Sequence, residues 1–521
     1  MTKPQLIIPM SGLGKRFIAA GYRTPKPLIQ VFGEPMIAHV LRMYEGWDDV
    51  IFVVNTNHLH DSKLRLEATL LGLRPQGKIV EIESHDFGPS YAVLKAREFI
   101  ARDKPVVVNY CDFAGEFDLE EYETELKSKS ATLLTYTGFH PHMLRNTQFA
   151  YIERNAAGDV TEIQEKKSFT LTPMREEASA GSYGFGSGTI LINSIEKQIS
   201  NGLSLNGEFY TSLTIKSVLE GQGAVSSVLM KSFYQWGTPE DFADFKYWTN
   251  SIKNIENSNP NEIRKYEQST VILAAGKGER IASNASVPKP AIPVAGKQLW
   301  EMASRSCHTN VEKVIVLRKE TSPFLKLDSG TRAITLDSYT KGQADSARIG
   351  LETLIDAEQH LVNILASDNV LPTNFSSSVR EVMKDLNLDV VVWVAKGYPL
   401  AELSPQQFSW VRIESSRVVE AIYKAQPPQN NNIWAVISGN FTFTNRDIAL
   451  NLISELLSDE KLQINGEFYL DSIITLALQN GIRIGALEIP NYFSLGTIDE
   501  LQTFNYWFEV LKKNFHLPGK A

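Results

Sequence analysis

Cysteine is nearly absent: Cys111 and Cys307 are the only two in 521 residues. That excludes a disulfide framework and suits a reducing compartment. Long apolar runs are also missing, and nothing approaches the ~20 residues needed to span a bilayer. The opening Met1-Thr-Lys-Pro-Gln5 leads into an apolar stretch too short for a signal-peptide core. The chain is therefore expected in the cytoplasm, with no membrane partner. Positive charge is not in excess either. Lys and Arg total 52 against 60 Asp and Glu, a net charge of -8, which argues against a nucleic-acid partner but leaves room for a local basic pocket. Two nucleotide signatures are lacking as well. No Gly-x4-Gly-Lys-Ser/Thr loop occurs, and Phe17 stands where the third glycine of the dinucleotide fingerprint would fall. A hydride-transfer enzyme is disfavoured on that ground.

What is present is present twice. Leu6-Ile-Ile-Pro-Met-Ser-Gly-Leu-Gly-Lys-Arg16, then Pro25-Lys26-Pro27, returns as Val271-Ile-Leu-Ala-Ala-Gly-Lys-Gly-Glu-Arg280, then Pro288-Lys289-Pro290. Asn206-Gly-Glu-Phe-Tyr210 returns as Asn465-Gly-Glu-Phe-Tyr469, and Gly237-Thr238 as Gly496-Thr497. The matches keep their order at a separation of about 260 residues, a period that means duplicated domains rather than a solenoid. We read domains over 1–252 and 268–515, joined by the polar, Asn-rich stretch 250–269, with room in it for a short helical piece.

Within each copy, apolar runs alternate with helical patterns. Val50–Val54 and Pro105–Asn109 read as buried strands around a helix at Ala92–Ile100. Lys313–Leu317 and Leu361–Leu365 flank a helix at Ser346–Leu354 in the same way. Gly188–Asn193 reads as a further strand. The expected class is α/β, with a mixed, mostly parallel sheet in each domain. Ligands in such sheets bind beyond the carboxyl ends of the strands, where both glycine loops and Asp112 would lie.

The chemistry follows from those ends. Gly12, Leu13 and Gly14, like Gly276, Lys277 and Gly278, form a loop whose N–H groups can reach phosphate oxygens. Alone this is also what a tight strand-to-helix turn looks like. Arg16 and Lys26, with Arg280 and Lys289, add cations suited to a triphosphate. Asp112 and its counterpart Asp368 each end an apolar strand, a good position for an oxygen ligand to Mg2+. An isolated Asp there would read equally well as a loop cap.

Together these residues resemble the sugar-phosphate nucleotidyltransferase (NDP-sugar pyrophosphorylase) family, over nearly the whole chain and as two tandem copies. The resemblance implies a Rossmann-like α/β/α fold and a reaction of NTP with a phosphorylated small-molecule acceptor, giving an NDP-linked product and pyrophosphate. It implies that Gly12, Gly14, Arg16 and Lys26 hold the triphosphate and that Asp112 holds Mg2+. It places Gly88 and its counterpart Gly342 by the nucleoside, and Glu165, Lys166 and Glu208 by the acceptor. Surface-polysaccharide synthesis is the family's usual context, and a homo-oligomer is compatible with it. Two departures stand out. The family's second metal-binding aspartate, two residues before the late Gly-Thr, is Gln235 in copy one and Ser494 in copy two. Copy two also has Tyr423 in place of Glu165, while Lys424 and Glu467 are kept. Copy one is nearer the working pattern. Copy two reads either as a second catalytic domain or as a nucleotide-binding or assembly module, and a non-catalytic nucleotide sensor is the remaining alternative for the whole chain.

Overall fold

The computed structural model describes residues 3–145, 148–256, 268–278, 281, 286–306, 311–355, 360–371, 376–428, 433–489 and 491–514. They form two compact units, Met1–Phe245 and Lys246–Ala521. Among the described residues, no helix is long and apolar enough to cross a membrane.

Unit one is organised by its opening strand. Gln5–Met10 pairs in parallel with Val50–Asn55 on one side and Val106–Asn109 on the other. Lys78–Ile82 extends the parallel part beyond Val50–Asn55. Past Val106–Asn109 the sheet turns antiparallel through Glu177–Phe185, which also pairs with Ala131–Tyr136 and Ala150–Arg154. These central strands read as unbroken apolar runs because both of their faces are covered. Leu6, Ile8, Val50 and Phe52 join one core with Ile37 and Val40 of helix Met36–Arg42 and Leu126 of helix Leu119–Ser128. Ile7, Ile51, Val53 and Val108 point the other way. They pack with Ala92 and Val93 of helix Pro89–Lys95 and with Leu191, Ile192 and Ile195 of helix Gly188–Ser200. Alternate residues of one strand thus feed two cores, which is an α/β/α sandwich.

Unit two repeats the topology strand for strand. Thr331–Leu336, Lys313–Arg318, Gln268–Ala274 and Leu361–Ala366 lie side by side in parallel. Trp434–Phe443 then pairs antiparallel with Leu361–Ala366 and with Val390–Ala395. In each unit a two-stranded ribbon stands apart from the main sheet: Phe113–Glu116 with Ser232–Gln235, and Asn369–Val370 with Phe493–Ser494.

Three expectations are corrected. Gly188–Asn193 is not a strand but the start of helix Gly188–Ser200. Ser187 caps it by accepting the Ile190 N–H at 3.2 Å, and Leu191, Ile192, Ile195 and Gln198 share its buried face. A short apolar run cannot by itself separate a strand from a buried helix. The helix expected at Ala92–Ile100 begins earlier, at Pro89, and gives way after Lys95 to a 3-10 turn at Arg97–Phe99. Proline at a first helical position is pre-organised for such a start. Helix Pro239–Glu256 runs through Asn250, because Phe242, Phe245, Trp248 and Ile252 are buried at helical spacing. Strand Gln268–Ala274 takes up the other end of the expected linker, and its middle, 257–267, lies outside the described residues.

Unit one also carries a built-in acid sensitivity. His140 and His142 are buried among Tyr136, Phe149 and Phe233, with His142 Nε2 2.9 Å from the Tyr136 hydroxyl. Burial pushes His140 down to about 3 and His142 down as well. The folded unit keeps both neutral, whereas the unfolded chain protonates them near 6.5. The unfolded state therefore binds more protons, and stability falls as pH drops below about 6.5. The melting temperature is expected to fall steeply below pH 6, and His140→Phe should flatten that profile. Identical slopes in the two proteins would refute this origin.

Candidate active site

The opening strand ends at Met10, and Ser11–Gly14 turns the chain into helix Lys15–Ala19. Gly14 stands at the helix start with φ 67°, and Gly278 repeats it at 66°. Open space lies beside both Gly12 and Gly276. Leu13 is half-buried and Arg16 is exposed on the first turn of the helix. Arg280 lies outside the described residues.

Lys26 opens a 3-10 turn, Lys26–Leu28, whose backbone is set by the flanking prolines. Its ammonium donates to Asp112 Oδ2 at 2.5 Å and to the Gly237 carbonyl at 2.7 Å, and it lies 5.4 Å from the centre of the Phe17 ring. Asp112 follows strand Val106–Asn109, and its carbonyl accepts the Trp236 N–H at 2.7 Å. The ribbon that pairs Gln235 with Phe113 therefore brings three sequence-distant segments to one point. A Cβ built on Gly237 would stand 2.6 Å from Gln235 Oε1 and 3.8 Å from Asp112 Oδ2, so those two oxygens face the same spot. Gln235 Oε1 also accepts the Gly237 N–H at 3.0 Å. Unit two rebuilds the arrangement. Lys289 Nζ donates to Asp368 Oδ2, the Asp368 carbonyl accepts the Leu495 N–H at 2.8 Å, and Ser494 pairs with Asn369.

Gly88 and Gly342 cap the N-termini of helices Pro89–Lys95 and Gln343–Glu352. Each is strapped to the Asn-Gly-Glu-Phe-Tyr segment of its own unit. Phe209 N–H donates to the Phe87 carbonyl at 2.8 Å and Ser90 N–H to the Phe209 carbonyl at 3.0 Å; in unit two Phe468 N–H donates to Lys341 and Ala344 N–H to Phe468, at 3.0 and 3.1 Å. Glu208 and Glu467 close these Asn-Gly turns by bridging to Leu205 and Ile464. The glycine expected by the nucleoside is thereby tied to the glutamate expected by the acceptor.

Glu165 ends strand Val160–Glu165 and accepts from Ser212 Oγ at 2.5 Å. Burial raises its pKa, with Glu208 adding to the rise, while Ser212 and Lys166 oppose it. Lys166 Nζ donates to the Tyr210 hydroxyl at 2.7 Å and lies 4.4 Å from that ring's centre. Lys424 donates to the Gln407 carbonyl at 2.9 Å and lies 5.3 Å from the Tyr469 ring.

Sequence reasoning missed several residues here. Asp241 and Glu500 are buried carboxylates beside the two late Gly-Thr pairs. Asp241 Oδ2 accepts from Thr238 N–H and Oγ1 at 3.1 and 2.7 Å; Glu500 Oε2 accepts the Gly496 and Thr497 N–H groups at 2.7 and 2.8 Å. Burial raises both pKa values, and Asp368 adds to the rise at Glu500. The available signal was a capping box, Thr-x-x-Asp and Thr-x-x-Glu. The sides where the resemblance places the nucleoside also differ. Unit one offers His85, Phe87 and Tyr91, packed on one another with His85 and Phe87 each 4.9 Å from Tyr91. Unit two offers Tyr339, with the Arg318 guanidinium 3.8 Å and Lys277 Nζ 5.6 Å from its ring centre. Asn55, which stands at Arg318's strand position, instead donates to the Ser11 carbonyl and Ser84 Oγ, both at 2.9 Å.

Residues 6–248 match the nucleotidyl transferase family, and residues 270–449 match the MobA-like NTP transferase domain. The chain belongs to the nucleotidyltransferases, which match both of its halves. Curated relatives of this nucleotidyltransferase include Bifunctional protein GlmU of Clostridium botulinum (strain 657 / Type Ba4), 25% identical over 236 residues, covering 44% of this chain and 50% of the relative. The protein of that name from Methanocaldococcus jannaschii is 27% identical over 180 residues, covering 34% and 39%. The chain thus spans about half the length, or less, of these curated relatives. Among solved structures it is similar to the nucleoside-diphosphate-sugar pyrophosphorylase from Vibrio cholerae RC9, with TM-score 0.39 and 18% identity over 46% of this chain and 98% of that one. It is likewise similar to the inositol-1-phosphate CTP transferase from T. maritima, with TM-score 0.36 and 13% identity over 48% and 99%.

Both nucleotidyltransferase units present oxygen donors at the strand ends. Unit one offers Asp112 and Gln235, and unit two offers Asp368 with Glu500 behind Gly496. Among the described residues no group of three or more His, Cys, Asp and Glu gathers as a dedicated metal cage.

Proposed function

We propose that this chain transfers a nucleotidyl group from an NTP to a phosphorylated small-molecule acceptor. A phosphate oxygen of the acceptor attacks the α-phosphorus, the bond to the leaving pyrophosphate breaks, and an NDP-linked product forms. The observation that carries the reading is the repeated meeting of a Pro-Lys-Pro lysine with a strand-end aspartate, Lys26 with Asp112 and Lys289 with Asp368, beside a glycine loop. Family membership of both halves supports it.

The residues divide the work by position. The glycine-loop N–H groups cradle the phosphate chain. Lys26 and Arg16 neutralise charge on it as the transferred group moves. Lys166 and Glu165 orient the acceptor so that its phosphate lies in line with the α-phosphorus, which is worth much of the barrier when the geometry is right. The phosphate is already a competent nucleophile, so no side chain needs to remove a proton. Oxygen donors without nitrogen or sulfur, and few of them, fit Mg2+, which prefers one or two carboxylates together with substrate phosphates and water. Asp112, with Gln235, would hold it in unit one and Asp368 in unit two. When bound it supplies Lewis-acid polarisation of the phosphate oxygens.

In unit two, Ser494 in place of a second ligand favours a nucleotide-binding or assembly role, whereas the retained Lys289–Asp368 contact favours turnover. The product would serve as an activated building block for a surface polysaccharide, made in the cytoplasm. The test is pyrophosphate release by the full chain, with each of four NTPs against a panel of phosphorylated acceptors. Release with at least one pair, abolished by EDTA and restored by Mg2+, is expected. Nucleotide binding without release on any pair would reduce the chain to a nucleotide sensor.

A further inference from the structure

The acceptor sides of the two units differ in one paired exchange. In unit one the carboxylate comes from the strand, as Glu165, and a small hydroxyl faces it from helix Thr211–Glu220, as Ser212. In unit two the strand position holds Tyr423, just after Arg417–Ile422. The position of Ser212, two residues past the conserved Phe-Tyr, holds Asp471, in the turn Leu470–Ser472 before helix Ile473–Gln479. Strand and helix have traded the carboxylate. We infer that Asp471 is the acceptor-site carboxylate of unit two, making that unit a second acceptor site with its own specificity rather than a worn copy of the first.

The frame around the exchange is unchanged. Lys166 and Lys424 both take the left-handed backbone conformation, at φ 56° and 48°. Both lay their ammonium over the tyrosine that ends Asn-Gly-Glu-Phe-Tyr. The lysine favours the charged form of Glu165 in one unit and of Asp471 in the other. Tyr423 does not stand in for the lost glutamate. Its hydroxyl lies 2.7 Å from Thr475 Oγ1 and accepts the Thr475 N–H at 3.2 Å, so it is turned to the helix and engaged there. Asp471 is only 7% exposed. A carboxylate withdrawn this far from water is costly unless partners meet it. Ser409, by hydrogen bonding, and Lys424 both favour its charged form, its further lone pairs can accept a donor from a ligand, and a serine at that place in unit one shows that the helix itself does not require the charge. The Tyr423 side chain is bulkier than the glutamate whose place it takes, so the inferred occupant is a short acceptor. The chemistry is a small phosphate ester carrying a hydrogen-bond donor, hydroxyl or ammonium, for Asp471 to accept.

This inference rests on the nucleotidyltransferase reading of both units. The test uses the full chain carrying Asp112→Ala, which silences unit one, and three acceptors: a three-carbon polyol phosphate, phosphoethanolamine and a hexose 1-phosphate. Pyrophosphate release is expected to persist with one of the two short acceptors, and which one distinguishes hydroxyl from ammonium. Adding Asp471→Asn should raise the KM for that acceptor about 10- to 100-fold, as expected for a lost hydrogen bond to a charged group, with the KM for NTP and the melting temperature little changed. Asp471→Glu should restore most of the affinity, and Tyr423→Glu with Asp471→Ser should move the preference towards unit one's acceptor. An unchanged acceptor KM in Asp471→Asn, or a lower melting temperature alone, overturns the assignment. So does silence of the Asp112→Ala protein on every acceptor while Asp368→Ala keeps the parent's release, which leaves the reading of unit one standing. Should the parent itself release no pyrophosphate on any pair, the nucleotidyltransferase reading falls, and this inference with it.

Discussion

Asp112→Ala is expected to lower turnover by unit one about 10²–10³-fold, the usual cost of removing one charge-positioning group from a transition-state site, while leaving unit two's turnover intact. Asp368→Ala should do the converse, and the double variant should show the same loss of about 10²–10³-fold on every pair. The size follows from what Asp112 touches. Its carboxylate holds the Lys26 ammonium at 2.5 Å and faces the same point as Gln235 Oε1. One truncation therefore frees the lysine proposed to hold the triphosphate and removes the carboxylate suited to Mg2+. The backbone contact from Trp236 N–H to the Asp112 carbonyl needs no side chain, so the ribbon Phe113–Glu116 with Ser232–Gln235 stays paired and the melting temperature should move little. The measurement is kcat for pyrophosphate release in each variant, on whichever NTP and acceptor the parent uses. Full turnover on every pair in Asp112→Ala would remove Asp112 from the machinery.

The duplicated frame and the diverged fittings carry different consequences. Strand order, the ribbon beside each aspartate, the lysine contact and the strap onto Asn-Gly-Glu-Phe-Tyr recur in both units. What differs sits at the positions proposed for the nucleoside and the acceptor. The side proposed for the nucleoside changes from an aromatic group around His85 to a cation-flanked Tyr339, and the side proposed for the acceptor exchanges Glu165 and Ser212 for Tyr423 and Asp471. A frame kept with both proposed recognition ends altered is what the inference of a second acceptor site for unit two rests on.

How far the sequence discloses this depends on what each signal measures. Leu6–Ile8, Val50–Val54 and Val106–Val108 are legible as central strands because a strand covered on both faces must be apolar throughout. Gly188–Asn193 is not, since a helix buried on one side can present the same short aliphatic run, and only the Ser187 cap separates the two. The stretch 250–256 looks like linker by its asparagines, yet Ile252 continues the buried spacing of Phe245 and Trp248 and keeps it helical. At the site, Lys26 and Asp112 stand out in sequence because each sits in a repeated local motif, and their side chains meet. Asp471 escapes notice because its role is visible only against Tyr423, 48 residues away and on another element. Comparing like with like scores Tyr423 as a loss and passes over the gain. Arg318 and Tyr339 escape for the same reason: a contact between two strand ends leaves no periodic trace.

Alanine at Gly88 should cost unit one both stability and substrate affinity. The residue has φ 85°, where a side chain is strained by about 1–3 kcal/mol. Its Cβ would also stand 2.8 Å from Phe209 N and 3.0 Å from the Phe209 carbonyl oxygen. Those atoms are main chain, and they are held by the very bonds that strap the loop, Phe209 N–H to Phe87 and Ser90 N–H to Phe209. Relief can come only by moving the Asn206–Tyr210 turn away, which carries Glu208 with it. Two effects are therefore expected together. The melting transition of unit one should drop by roughly 5–10 °C, as a loss of a few kcal/mol does in a domain of this size. The KM values for NTP and acceptor should rise in concert, since the loop beside the nucleoside and the turn beside the acceptor move as one body. Gly342→Ala tests the same linkage in unit two, where φ is 134° and the added Cβ would meet Phe468 N and its carbonyl oxygen, both at 2.7 Å. A rise in the KM for NTP alone, with the acceptor KM unmoved, would show that the strap does not couple the two ends. An unchanged melting temperature would show that the turn yields without cost.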